Sequence, residues 1–112
     1  IAVNPGVIAA ATDNWVNADP NTSSLTKINF LDAGANLNTW GKCSPQDCDW
    51  GKAKVDPLVG NPNYTHCAIY NQGFVLRTIY FKKVGTTMNV FMVSKFNDGR
   101  GTQNSAMTFK KN

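Results

Sequence analysis

The residue types best suited to chemistry are gathered between positions 40 and 51, where the chain reads WGKCSPQDCDWG. Trp40 and Trp50 are the leading candidates for ligand contact. An indole set beside Asp, Asn and Lys offers a flat apolar face with hydrogen-bonding groups at its edge, the combination a sugar ring requires. Asp47 and Asp49 would then accept from ligand hydroxyls, and Asn38 would add amide contacts. The competing role for the two indoles is to close a barrel end. Asp47 and Asp49 also have the composition of a glycosidase carboxylate pair. Asp in a turn beside Pro or Cys, however, ordinarily binds nearby backbone N–H groups. That simpler role is preferred, so no catalytic residue is assigned and the chain is not expected to be an enzyme.

Cys43 and Cys48 are separated by four residues that include Pro45, a spacing that lets a tight loop return its ends to within disulfide reach. They are read as a bridge, although three cysteines permit three single bridges and either could pair with Cys67. Cys67 is expected to be a buried free thiol. A zinc site built from Cys43, Cys48, His66 and Cys67 has suitable ligand types. Neighbouring strand residues such as His66 and Cys67, however, point to opposite faces, and this also argues against a nucleophile–base pair. No metal or cofactor is expected.

The box must be positioned by strands. All seven acidic residues are Asp, helix formers are scarce, and Asn, Thr, Val and aromatics abound, a bias toward strands and turns. Period-two runs occur around Trp15 and over 25–32, 37–42, 49–55, 64–70, 74–83, 87–96 and 102–110. Turn-rich segments such as ADPNTSS, AGAN, DPLVGNPN and NDGRG separate them. Eight short strands in a meander predict an all-β, antiparallel up-and-down barrel, with a two-sheet sandwich as the alternative. Residues 1–112 form one β domain, with 1–12 as an N-terminal strap. Trp15 is assigned to the core.

Within these runs, Thr26, Ile28 and Phe30 are expected on one face, and Trp50 on the same side as Lys52 and Lys54. Met88, Val90, Met92, Ser94 and Phe96 share a face of the seventh run. The sixth and seventh runs are apolar on both faces, so a second chain or the strap is expected to cover part of the outside, and self-association follows. The net charge is +4, but the lysines are scattered, which describes a mildly basic surface and not a nucleic-acid arm. No apolar stretch reaches the ~18 residues of a membrane span. Asn21-Thr22-Ser23 and Asn63-Tyr64-Thr65 fit the glycosylation sequon of surface loops.

The box, preceded by NWVNADPNTSSLTKINF, resembles a pattern found in small secreted microbial proteins of poorly defined function. In that pattern a Trp-x-Asn-x-Asp-Pro segment precedes Trp-Gly-x-Cys-x-Pro-x-Asp-Cys-Asp-Trp-Gly. The match covers residues 14–51, and FNDGRG is similar to the closing hairpin. The resemblance implies secretion and a Cys43–Cys48 bridge. The meander and its NWVN opening are also similar in architecture to avidin-like and lipocalin-like barrels.

These readings combine into a secreted, non-catalytic module that recognises carbohydrate at the rim carrying the Cys43–Cys48 loop. One alternative is a protein-binding inhibitor of a secreted enzyme that uses the rigid CSPQDC loop as a wedge. Another is a carrier enclosing a small apolar ligand between Met88, Met92, Phe74 and Phe30, against which a filled barrel core competes at this size.

Overall fold

The computed structural model describes residues 13–112, so the expected strap at 1–12 lies outside the described residues. Eight strands follow one another: β1 (Asn14–Asn17), β2 (Leu25–Leu31), β3 (Asn36–Gly41), β4 (Cys48–Pro57), β5 (His66–Asn71), β6 (Val75–Val84), β7 (Thr87–Phe96) and β8 (Thr102–Lys111). Each pairs antiparallel with the next, and β8 returns to β1, so the sheet closes into a barrel with no free edge. The up-and-down barrel is therefore the observed architecture and the sandwich is not. One short 3-10 turn, Asp32–Gly34, joins β2 to β3.

Alternation sorts the side chains as the period-two pattern requires. Leu37, Thr39 and Gly41 of β3 and Met88, Val90, Met92 and Ser94 of β7 are all buried inside. Trp15 is 2 % exposed, in the core as expected. In β2 the expected face is corrected: a register shift between Leu25 and Lys27 turns Leu25 into the core with Ile28 and Phe30. Thr26 is left half-buried, its hydroxyl on Asp47 Oδ2 at 2.8 Å. One extra residue in a strand reverses every face before it, and no alternation rule signals where that happens.

Because the topology is a meander, the loops at 18–24, 42–47, 72–74 and 97–101 gather at one end. Lys42 N–H donates to Ser24 O at 2.8 Å, and Asn97 N–H donates to Phe74 O at 3.1 Å, which tie these loops in pairs. The opposite end holds a smaller cavity of about 280 Å³ beside Phe30, His66, Phe81 and Lys83. Phe30 and Phe81 pack there with ring centroids 5.3 Å apart. Lys83 Nζ lies 3.8 Å above the Phe30 ring, and Lys111 Nζ lies 5.2 Å from that of Trp15. Asp13 binds both ammonium groups. The apolar chamber proposed between Met88, Met92, Phe74 and Phe30 does not form: Phe74 sits on the outside at 49 % exposure, while Phe30 and Met88 are packed core.

Candidate functional site

The interior changes character along the barrel axis, and the strand register shows how. Ring by ring from the far end, cross-strand partners run Lys83–Met88–Phe109, then His66–Phe81–Val90–Met107, then Ala68–Ile79–Met92–Ser105, then Tyr70–Arg77–Ser94–Gln103. The first two rows are apolar except for His66 and Lys83, both exposed at the far end, the Ala68 row is apolar up to Ser105, and the Tyr70 row is polar throughout. The polar row faces the end where the four loops gather. There the barrel opens into a cavity of about 400 Å³, lined among others by Ser24, Cys43, Trp50, Arg77, Ser94 and Asn104. Its volume falls within the range of small-ligand sites, roughly 300–1,000 Å³.

The stapled box forms one lip of this mouth. Cys43 and Cys48 are bonded, with Cα atoms 5.4 Å apart, and Cys67 is free. Cys67 is half-buried and not the sealed thiol expected, because it alternates with buried Ala68 on the inner face. Burial and the nearby Asp56 carboxylate raise its pKa. The disulfide removes two of the four sulfur and nitrogen ligands a zinc site would have used. No group of three His, Cys, Asp or Glu side chains suited to a metal ion occurs among the described residues.

The two indoles of the box are separated by the barrel wall. Trp40 points outward between Asn38 and the loop, opposite Asp49 on β4, with Lys27 Nζ 4.3 Å from the ring centroid. Trp50 points inward. The cause is a bulge: Asn38 pairs with Lys52 but Trp40 pairs with Asp49, so Thr39 faces two residues of β4, Trp50 and Gly51. Gly51 takes φ +82°, a left-handed conformation that glycine adopts without penalty. The expected grouping of Trp50 with Lys52 and Lys54 is therefore corrected. Trp50 packs with Ala53 and Val55 against the core, while the lysines stay outside.

Asp49 secures the bulge from outside. Its Oδ1 accepts from Gly51 N–H at 2.8 Å and from Asn38 Nδ2 at 2.7 Å. The Asn38 bond first, then the Gly51 backbone, hold its carboxyl below the usual aspartate value. Asp47 accepts from Thr26. Both carboxylates thus bind the protein itself on the outer wall. Of the five residues expected to share one ligand, Asn38, Trp40, Asp47 and Asp49 lie outside and Trp50 alone lines the cavity.

Inside, Trp50 is clamped on several sides. Its ring meets Tyr70 edge-on at 5.8 Å, and the Tyr70 hydroxyl donates to Gly51 O at 2.8 Å. The Arg77 guanidinium lies 4.8 Å from the Trp50 centroid. Arg77 Nη1 donates to Ser94 Oγ at 2.9 Å and Nε to Gln72 Oε1 at 2.8 Å. Burial, and then the charge of Arg100, lower the Arg77 pKa from its free value; the side chain remains a cation.

Sequence reading missed Arg77, although a signal for it existed. Val75, Ile79 and Phe81 are buried at alternate positions of β6, and Arg77 interrupts that apolar row. A charged residue at an inward register marks either a strained core or a lined cavity, and here it lines one. Ser94, at the end of the row Met88, Val90, Met92, carries the same signal and is its cross-strand partner.

No protein-family model matches this chain, and no curated protein or solved structure matches it either.

Proposed function

We propose that the protein is a non-catalytic, secreted binding module that takes a carbohydrate into the polar mouth of the barrel, beside the Cys43–Cys48 loop. The observation that carries this reading is the polar row Tyr70–Arg77–Ser94–Gln103, which follows the apolar Ile79–Met92 level and borders a cavity of about 400 Å³ at the loop-bearing end. Hydroxyls of Ser24, Ser94 and Ser105 and amides of Gln103 and Asn104 offer donors and acceptors together, while Trp50 and Met92 supply apolar surface. Sugars carry both kinds of surface on one small ring, and sites for them combine the two.

The absence of carboxylates among the cavity-lining residues supports binding over hydrolysis, which needs a paired acid and base or nucleophile. A disulfide suits an oxidising compartment and thus secretion. Exposed Phe74, Leu76 and Ile69 on the β5–β6 side support association with a second copy. The protein-binding alternative draws on a different observation: residues 44–49 are all exposed on a stapled loop, a shape suited to wedging into a partner.

Calorimetry against a panel of mono- and disaccharides tests the carbohydrate reading. Binding is expected to be lost in Trp50→Ala and kept in Trp40→Ala. Binding lost in Trp40→Ala with Trp50→Ala unaffected would move the site to the outer wall, and capture of a secreted hydrolase with no sugar bound would favour the inhibitor.

A further inference from the structure

Two arginines flank the Phe96 ring at the mouth, and among the described residues only one has a counter-ion. Arg100 lies 4.1 Å from the ring centroid and donates to both carboxylate oxygens of Asp98. Arg77 lies 5.7 Å from the same centroid, is half-buried, and has no carboxylate partner among the described residues. Its two hydrogen bonds go to neutral oxygens of Ser94 and Gln72. A guanidinium carries five N–H donors, so three of them, on Nη1 and Nη2, have no acceptor among the described residues. The cavity that Arg77 lines includes one further charged side chain, Lys42, and it is also cationic.

Partial burial of a cation without a counter-charge costs free energy, and proteins ordinarily pair such groups. Here the register holds Arg77 inward at the level of the cavity while Trp50 and Phe96 stack on it. Its unused donors are thereby fixed in a site with no carboxylate among the described lining residues. A carboxylate is matched to a guanidinium by planar geometry as well as by charge.

Resting on the carbohydrate reading above, we propose that the mouth selects an acidic sugar of the uronate type, whose carboxylate pairs with Arg77 while its hydroxyls meet the serines and amides around it. Lys42 at the lip adds a second positive charge that favours entry of the anion.

The test is calorimetry on the full chain with galacturonate and glucuronate, each against its neutral parent, galactose and glucose, and with inorganic sulfate as a sugar-free anion. Each uronate is expected to bind about tenfold or more tightly than its parent. Sulfate is expected to compete weakly. In Arg77→Met, which keeps an apolar side chain against Trp50, the preference for the uronate is expected to disappear. If that variant fails to fold, Arg77→Lys, which keeps the charge without the planar fork, is expected to show a reduced preference. Neutral sugars binding as tightly as uronates, or a preference undiminished in the Arg77 variants, would overturn this proposal and leave the carbohydrate reading standing. Sulfate binding with none of the four sugars, or no binding at all, would overturn both.

Discussion

A Cβ built on Gly41 would come 2.8 Å from both Cζ2 and Nε1 of Trp50, so the indole rests directly on the backbone of β3. Gly41 is there to give that close approach; its backbone needs no left-handed φ. Gly41→Ala is therefore expected to push Trp50 into the cavity and to destabilise the fold by about 1–3 kcal/mol, the usual range for overpacking. Denaturant unfolding reads the stability, and ligand titration reads the blocked mouth. An unchanged midpoint and unchanged binding would show that the indole has room to move.

The barrel itself was legible because alternation in β3, β6 and β7 is long and regular, and because the connecting segments are rich in turn residues. The side of the wall on which Trp50 lies was not legible. It depends on the single extra residue at Trp50–Gly51, and a glycine after an aromatic does not announce whether it is a bulge or an ordinary strand position. Asp47, Asp49 and Asn38 were found as chemistry-bearing residues but turned out to serve the local backbone and side chains, since hydrogen-bond partners across strands depend on register. Arg77 stood in plain view as the polar break in the inward row of β6.

The Cys43–Cys48 bridge closes a short loop, for which the chain-entropy model gives a stabilisation of about 2 kcal/mol. Replacing both cysteines by serine is expected to cost about that much in denaturant unfolding. Because Lys42 and Cys43 line the mouth, ligand affinity is expected to fall as well. Full affinity in the double variant would mean that the lip contributes nothing to recognition.

At the end away from the mouth, Asp13 Oδ1 accepts from Trp15 Nε1 at 2.8 Å and from Lys111 Nζ at 2.9 Å, and Oδ2 accepts from Lys83 Nζ at 3.2 Å. Burial alone would raise its pKa, but the bonds from Lys111, Trp15 and Lys83 together outweigh that and hold it below 3.8. With the folded pKa below the unfolded one, the stabilisation is complete above roughly pH 4 and is lost as pH falls through the folded value. Asp13→Asn is expected to cost about 1 kcal/mol at pH 7 and to converge on the wild type in acid. A constant difference from pH 7 down to pH 2 would contradict this assignment.

Cys67 is the free thiol, and burial together with Asp56 raises its pKa. Because the thiolate is the reactive form, iodoacetamide at pH 8 is expected to modify the native protein once per chain, and more slowly than free cysteine. Mass spectrometry counts the adducts. A second adduct without reductant would contradict the Cys43–Cys48 pairing.

The central claim is that ligand enters the barrel mouth beside Trp50 and does not settle on the outer wall at Trp40. The chain has three tryptophans, so a nitrogen–proton correlation spectrum gives three indole signals, assignable by single Trp→Phe variants. On titration with galacturonate, the Trp50 signal is expected to shift while those of Trp15 and Trp40 stay in place. A shift of the Trp40 signal with Trp50 unmoved would contradict the account.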